Sequence, residues 1–292
     1  MKEGQKDRIV FWLFLTPVLI AFLVVVIIPF LIGVFYSFTD WSAVPGKSIH
    51  FIGLENFKQV FRDVKFGNSF RVTTLYTIMT VILTNLVGFL LAILVTQKFK
   101  TNNLLRTLFF MPNLIGGLIL GFIWKFIFLK ISPSITELLF NDANLFNWLA
   151  QPKLALFSMV IVSTWQMGGY IMIIYIAAIQ SIPESFIEAA NIDGASGFHK
   201  LIYIIFPLVA QAFTISLFFT LSTSFKMFDV NLALTNGGPV GSTELLTLNI
   251  YSTAFSNLRF GFGQAKAIIF FFIVTVITLI QVFISKKREV AA

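Results

Sequence analysis

The sequence predicts an all-α protein that crosses a membrane six times. Of its 292 residues, 57% are hydrophobic and only 12% are charged, whereas a soluble chain carries about 25% charged residues. Six windows without charged residues are each long enough, or nearly so, to cross about 30 Å of hydrocarbon as a helix. The predicted spans cover about residues 11–38, 72–97, 104–129, 154–180, 201–225 and 266–285.

The first and third spans have individual features. The first is too long for a cleaved signal peptide, and no small-x-small cleavage site follows it. Pro17 and Pro29 lie inside it and predict bends, because proline removes a helical hydrogen bond. The third reaches full length only if Lys125 extends its ammonium group toward the headgroups.

Three long loops, at residues 40–71, 130–153 and 226–265, lie on one face of the predicted membrane protein. In the first loop, four apolar side chains fall on one side of a predicted helix. This pattern is typical of a helix lying in the membrane interface, and equally of a helix packed on the protein's own surface. The four residues are Phe57, Val60, Phe61 and Val64.

The second loop looks irregular from residue 131 to 153, and the third contains a turn signal. Ser132-Pro133 and Asn141-Asp142 are turn signals in the second loop. In the third loop, Asn236-Gly237-Gly238-Pro239 predicts a tight turn, because these residue types accept backbone conformations that others do not.

The distribution of positive charge predicts the orientation of the chain. The net charge of +8 comes from basic residues at the ends of apolar runs, which is typical of membrane proteins and argues against nucleic-acid binding. Both termini and the loops near 97–106 and 181–201 share one face. This face carries ten Lys and Arg residues, and the opposite face carries nine. The segments that hold the ten contain about half as many residues in total as the segments that hold the nine. The density predicts that both termini are cytoplasmic.

The sequence contains no set of residues typical of an enzyme. It has no cysteine, which excludes disulfides and thiol catalysis. Gly46-Lys47-Ser48 resembles the end of a phosphate-binding loop, but Trp41 stands where the first glycine is needed. The two histidines are predicted on opposite membrane faces, and no nucleophile has a base nearby. We therefore expect no catalytic residue, bound cofactor or metal in this chain.

Residues 181–207 form a polar segment between the fourth and fifth spans. Ser181 followed by Glu184 is a capping-box pattern that predicts a helix start. Asp193-Gly194 predicts a break after Ile192, because glycine tolerates a left-handed backbone. The pattern therefore predicts two short helices joined at an angle.

This segment resembles the EAA loop of the membrane subunits of ABC importers. Glu188-Ala189-Ala190 is followed by Gly194, and further on by Ile205 and Pro207. The run from Phe110 to Trp124, the turn at 236–239 and the run from Tyr251 to Ala267 are similar to the maltose-type branch for carbohydrate uptake. The resemblance implies the type I ABC importer permease fold, with residues 1–292 as one permease domain and 181–200 as the EAA loop.

The resemblance also implies a function and partners. The chain would be a multi-pass permease subunit in the cell membrane that forms half of a path for sugars or oligosaccharides. It would pair with a second, homologous permease and two ATPase subunits that hold ATP and magnesium. An extracellular solute-binding protein would contact Asn236, Gly237, Gly238 and Pro239. The ATPase would contact Glu184, Glu188, Ala189, Ala190, Asp193, Gly194 and Ala195.

Polar and aromatic residues within the spans are candidates for contact with the sugar. Polar groups inside a membrane often serve function, but each of these could instead only bridge helices. The candidates are Asn85, Asn113, Trp165, Gln166, Tyr170, Gln211, Ser216 and Thr220.

Two other classes of transporter remain alternatives. An ABC permease for another solute, such as a polyol phosphate, would carry the same loop. A stand-alone secondary transporter is expected to have intramembrane carboxylates and an internal repeat. Neither is visible in the sequence, and the centres of the predicted spans hold no charge, which favours a neutral solute.

Overall fold

The computed structural model describes residues 3–42, 46, 48–97, 101–140 and 147–287. Within them the chain is almost entirely helical, and the one β-type pairing there is an isolated bridge between Thr39 and Phe51. The all-α prediction is confirmed. The helices are α1 Glu3–Phe22, α2 Ile28–Ser37, α3 Glu55–Arg62, α4 Val64–Thr96, α5 Asn102–Phe110, α6 Gly117–Phe126, α7 Ser132–Phe140, α8 Pro152–Gln180, α9 Glu184–Ile192, α10 Gly197–Lys200, α11 Phe206–Leu208, α12 Ala210–Phe225, α13 Leu246–Tyr251 and α14 Phe260–Lys286.

Five helical segments in the described residues are long and apolar enough to cross a membrane. A sixth candidate is the bent pair Gly197–Leu208 and Ala210–Phe225, whose parts meet at 69°. The five are Val10–Ser37, Val64–Thr96, Gly117–Phe140, Pro152–Gln180 and Phe260–Lys286.

The first candidate span changes its winding between its two prolines. Pro17 lies within α1, and a π-helical turn, Leu23–Ile27, separates α1 from α2. Pro29 lies in the first turn of α2, directly after this wider turn. A π-helical turn next to a proline lets a helix continue although one backbone donor is missing.

The third candidate span starts later than the predicted limits of 104–129. The backbone is extended at Ile115 and Gly116, which separates α5 and a short 3₁₀ turn from α6. The glycines of α6 then pack closely on the segment after α12, where a β-carbon at Gly121 would lie 2.6 Å from that of Ala233. Hydropathy alone does not register this break, because the residues on both sides of it are apolar.

The loop predicted as irregular at 130–153 contains α7. A π-helical turn, Ile127–Ile131, joins α6 to α7 without a loop. The Trp148 indole donates a hydrogen bond of 2.8 Å to the Ser132 hydroxyl, which fixes the return of the chain toward α8. Asn141 and Asp142, read as turn signals, lie outside the described residues.

The chain divides into two compact units, Met1–Asp63 with Ile250–Phe270, and Val64–Asn249 with Phe271–Ala292. The core of the second unit is formed by α4, α8 and α12. Close approach is possible because glycines lie at the contacts: a β-carbon at Gly88 would lie 2.7 Å from Ile171, and one at Gly169 would overlap the Phe109 carbonyl oxygen. Small residues at helix contacts are typical of membrane bundles.

The first unit is held together by polar side chains. The Asn56 amide of α3 donates bonds of 2.8 Å to the carbonyl oxygens of Ser37 and Thr39 at the end of α2. Lys266 of α14 is only 2% exposed, and its ammonium lies 2.7 Å from the Asp63 carboxylate and 2.8 Å from the Thr253 hydroxyl. The pairing of Lys266 with Asp63 was not predicted from the sequence.

The four apolar residues predicted on one side of α3 are divided by the structure. Val60 is buried together with Asn56, whereas Phe61 and Val64 are exposed. The helix ends at Arg62 and the backbone becomes extended at Asp63, so that Val64 belongs to α4. One side of α3 therefore packs on its own unit, and a second apolar side does not.

Candidate functional site

The segment between α8 and α12 is the first candidate site, and α9 begins it. Pro183 precedes α9 with an extended ψ of 134°, and no side chain caps the helix start. The predicted capping box is wrong: the Ser181 hydroxyl donates 2.8 Å to the Ala178 carbonyl and so finishes α8. Because Pro183 separates Ser181 from α9, Glu184 is the first residue of the helix and cannot reach back.

The predicted break at Asp193-Gly194 is confirmed, and its hydrogen bonds explain its shape. Gly194 has φ +72°. The Ala195 N–H donates 2.9 Å to the Ala190 carbonyl, and the Gly194 N–H donates 3.1 Å to the Asn191 carbonyl. These two bonds form a Schellman motif, which satisfies the last carbonyls of a helix and needs a left-handed residue, usually glycine.

The second short helix, α10, is capped and tied to the first. Ser196 is its N-cap, and the Ser196 hydroxyl accepts a bond of 3.3 Å from the His199 N–H. The Lys200 ammonium donates 2.8 Å to the Asn191 side-chain oxygen. Residues 184–200, named here the coupling segment, therefore form two helices with a fixed turn between them.

The surface of the coupling segment combines negative charge with large apolar side chains. Among the described residues, Glu184, Glu188 and Asp193 have no ion-pair or hydrogen-bond partner for their carboxylates. Ile192 is 86% exposed, and two phenylalanines of the segment are also exposed. Such a surface suits a protein partner that offers cationic groups beside an apolar cleft.

The structure places the predicted coupling residues in two environments. Ala190, whose carbonyl accepts the Schellman bond, is buried, and Ala195 is half-buried. The remaining members lie on the exposed surface: Glu184, Glu188, Ala189, Asp193 and Gly194.

Three of the predicted path residues meet in one buried network, and Tyr175 completes it. The Tyr175 hydroxyl donates 2.8 Å to the Asn85 side-chain oxygen and lies 2.7 Å from the Ser216 hydroxyl. The Asn85 amide donates 3.0 Å to the Thr220 hydroxyl. This network links α4, α8 and α12. Tyr175 was not among the predicted residues, although a tyrosine inside a span needs a partner for its hydroxyl.

Three further path residues lie along α8. Trp165 is exposed, and Tyr170 packs its ring 4.5 Å from that of Phe219. The Gln166 amide donates 3.1 Å to the Ile115 carbonyl, which is one of the two extended residues before α6. Gln166 therefore satisfies a carbonyl that the helix break leaves free.

The last two predicted path residues are not brought into a group with the others. Asn113 is half-buried in the 3₁₀ turn after α5, and Gln211 is exposed at the start of α12. The eight candidates thus do not form one cavity within this chain.

The predicted turn at 236–239 is present and rests on a buried asparagine. Asn236 has φ +48° and Gly237 has φ +79°, and the bond between Gly238 and Pro239 is cis. The Asn231 amide donates 2.8 Å to the Thr243 carbonyl beneath the turn. Asn231 was not among the predicted site residues, because its partner Thr243 lies on the far side of the turn.

No group of three or more His, Asp or Glu side chains in the described residues is arranged to hold a metal ion.

Residues 84–290 match the family described as "Binding-protein-dependent transport system inner membrane component". A protein of Thermoanaerobacterium thermosulfurigenes named "Probable starch degradation products transport system permease protein AmyD" is 49% identical over 98% of this chain and 97% of its own length. The "Multiple sugar-binding transport system permease protein MsmF" of Streptococcus mutans is 30% identical, with 96% of each chain covered. The "sn-glycerol-3-phosphate transport system permease protein UgpA" of Agrobacterium fabrum is 30% identical over 83% of each chain.

The fold is also similar to a solved structure. A chain in the crystal structure of a bacterial ABC transporter involved in the import of the acidic polysaccharide alginate has a TM-score of 0.84 over 98% of both chains, at 20% sequence identity. A complex of the alginate transporter with a pentasaccharide-bound periplasmic protein gives a TM-score of 0.85 over 98% of this chain and 96% of that chain.

Proposed function

Because the chain belongs to the inner membrane components of binding-protein-dependent transport systems, we propose that it is the permease subunit of an ATP-driven importer for sugars or oligosaccharides. The relative that is 49% identical is named for starch degradation products, and one of those at 30% for multiple sugars. A glycerol-phosphate substrate is the alternative, since one of the relatives at 30% is named for it. The buried Lys266 does not favour an anionic solute, because Asp63 already pairs with it.

The complete transporter would contain further subunits besides this chain. A second, homologous permease would complete the path, and two ATPase subunits would bind ATP and magnesium. A solute-binding protein would approach the face that holds the turn at 236–239. Both termini and the coupling segment would lie in the cytoplasm, in agreement with the density of basic residues.

The single observation that most directly supports coupling to a separate ATPase is the geometry of the coupling segment. Its two helices are joined by a Schellman turn and by the bond between Lys200 and Asn191, so that they can move as one body. Its carboxylates are exposed. Closure of the ATPases could then be transmitted to the spans by rigid-body movement.

The experiment is uptake of labelled maltooligosaccharide into proteoliposomes that contain the complete transporter, with ATP inside and the binding protein outside. We expect Glu188→Ala to reduce uptake by more than about a hundredfold, because removing one partner of a desolvated ion pair costs about 3–5 kcal/mol. Glu137→Ala is the matched control, since Glu137 is an exposed carboxylate on the separate helix α7.

Normal uptake by the Glu188→Ala transporter would contradict the coupling role. To separate the two substrate classes, unlabelled sugars and unlabelled glycerol 3-phosphate are compared as inhibitors of the uptake. Uptake that only glycerol 3-phosphate inhibits would replace the sugar proposal and leave the coupling role intact.

A further inference from the structure

Helix α3 and the four residues before it carry an apolar surface that is exposed in the described part of the chain. Phe51, Leu54 and Phe61 are 72%, 60% and 81% exposed, and they are named here the α3 patch. Leu54 and Phe61 are seven residues apart, which places them on the same side of a helix two turns apart. Phe51 is held next to the helix by two ring contacts. The Phe51 ring stacks on Phe38 at 6.2 Å, and Phe38 in turn contacts Phe57 of α3 at 5.3 Å.

The side of α3 that faces its own unit is different from the α3 patch. Asn56 and Val60 are buried there, and the Asn56 amide is bonded to the end of α2. This contact fixes the rotation of the helix about its axis, so that the α3 patch stays turned away from the core of the unit.

Basic side chains border the α3 patch. Lys58 lies one turn after Leu54, and Arg62 lies one turn after Lys58, along the edge of the apolar side. Lys58 is 65% exposed, and its ammonium lies 3.9 Å from the Glu55 carboxylate, which is the weak geometry of a surface pair. The helix thus has a packed side, an apolar side and a basic edge between the apolar side and water.

The level of α3 relative to the membrane is indicated by the aromatic residues at the end of α2. The Trp41 ring lies between Tyr36, at 4.3 Å, and Phe260, at 4.7 Å. Tryptophan and tyrosine are enriched where membrane spans meet the headgroups. Because Asn56 bonds directly to the carbonyls of Ser37 and Thr39, α3 is attached at this same level.

We propose that α3 lies in the membrane–water interface, in the leaflet that borders the end of α2. The α3 patch inserts at the boundary of the acyl chains, and Lys58 and Arg62 bind the phosphates of anionic lipids. The α3 patch contacts the end of α2 through the stacking of Phe51 on Phe38, and Phe35 of α2 is also exposed. Lipid fits both features, since an interfacial helix combines an apolar side with a basic edge.

The absence of cysteine from the sequence makes a direct test possible. Phe61→Cys places a single nitroxide label on the α3 patch, and Glu55→Cys is the matched control on the same helix, at an exposed position away from the patch. Both side chains are exposed, so neither change removes a packed contact. The complete transporter is placed in nanodiscs, and collisions of the label with oxygen and with a water-soluble nickel chelate are measured.

In bilayers that contain phosphatidylglycerol, we expect the ratio of oxygen to nickel collisions to be several-fold higher at position 61 than at position 55. Frequent nickel collisions at position 61 would mean that α3 is solvated. Rare collisions with both reagents would mean that a protein subunit covers the patch. Either result overturns the proposal.

A second measurement tests the basic edge. Replacing Lys58 and Arg62 together by glutamine should remove the difference in label depth between bilayers with and without phosphatidylglycerol. If the protein labelled at position 61 shows no such difference while Lys58 and Arg62 are present, or keeps it after both are replaced, the assignment of the basic edge to lipid phosphates is wrong.

Discussion

The coupling segment and the buried network of α4, α8 and α12 are both rich in residues that the sequence marks as functional, but their polar groups are satisfied in different ways. In the network, the hydroxyl of Tyr175 and the amide of Asn85 find partners within the chain. In the coupling segment, backbone hydrogen bonds close the turn between α9 and α10, whereas the carboxylates of Glu184, Glu188 and Asp193 have no partner among the described residues. A buried polar group with internal partners holds helices together, whereas an exposed one is available to a second protein.

The glycines of these two regions are also required for different reasons. Gly169 is required by space, because the carbonyl of Phe109 lies where its β-carbon would be. Gly194 has open space around it and is required by its left-handed backbone. The packed helices therefore depend on close approach, and the coupling segment depends on a turn.

The largest effect is expected from Gly169→Ala. The new methyl group must displace a backbone carbonyl of α5, which cannot rotate away as a side chain can. Overpacking of a well-packed core costs about 1–3 kcal/mol, and this site belongs at or above the upper end. The measurement is thermal unfolding of the purified complex in detergent, with the yield of folded protein as a second readout.

The neighbouring Gly168→Ala is the control for that change. Its β-carbon would meet only a methyl group of Val87, at 3.5 Å, which is an ordinary contact. Alanine is favoured over glycine in a helix by about 1 kcal/mol, so that the melting temperature should stay the same or rise. Equal destabilisation by the two changes would show that the packing of α5 on α8 does not decide stability.

The intermediate effect is expected from Asn85→Leu, which tests whether the network holds helices or lines a path. The change leaves the Tyr175 and Thr220 hydroxyls each without one partner, and we expect a loss of about 1–2 kcal/mol, since hydrogen bonds within membrane bundles average about 0.6 kcal/mol with a maximum near 1.7. When Asn85→Leu is already present, adding Tyr175→Phe should lower the free energy of unfolding by less than Tyr175→Phe does alone, because the bond to Asn85 is already gone.

Transport measurements also test whether Asn85 bridges helices or lines the path. If Asn85 only bridges helices, the sugar preference of the Asn85→Leu transporter in competition assays stays unchanged while its melting temperature falls. A changed sugar preference at an unchanged melting temperature would place Asn85 on the path.

The coupling segment was accessible to sequence reasoning because its shape is set by neighbours in the chain. Asp193-Gly194 ends α9 through bonds to residues no more than five positions away. The turn at 236–239 has local backbone bonds as well, since the Asn236 N–H donates to the Asn231 carbonyl and the Gly238 N–H donates to the Thr235 carbonyl. The error at Ser181 has a local cause as well, since the capping-box pattern does not register that Pro183 adopts an extended backbone.

The network and the buried ion pair were not accessible in the same way. Asn85, Ser216 and Thr220 could be selected as polar residues inside spans, but that Tyr175 joins them depends on how three helices pair. Lys266 lies at the edge of an apolar window, and its partner Asp63 comes from a distant part of the sequence. Hydropathy locates spans, and it carries no information on which faces of the spans meet.

The smallest effect on global stability is expected from Gly194→Ala. A side chain with φ near +72° is strained by about 1–2 kcal/mol, but nothing lies within 4 Å of the new methyl group. The strain should therefore act on the turn alone and leave the melting temperature of the complex nearly unchanged. Because 1 kcal/mol is about a fivefold change in an equilibrium, the Ala195 amide, which closes the Schellman turn, should exchange its hydrogen about fivefold faster or more.

Gly194→Asn separates backbone strain from the mere presence of a side chain. Asparagine adopts the left-handed conformation more readily than alanine, so the exchange of the Ala195 amide and the rate of sugar uptake should both lie closer to the values of the unchanged protein. If the alanine and asparagine variants behave alike, the left-handed turn is not what holds α9 and α10 together, and the bond between Lys200 and Asn191 becomes the feature that fixes their angle.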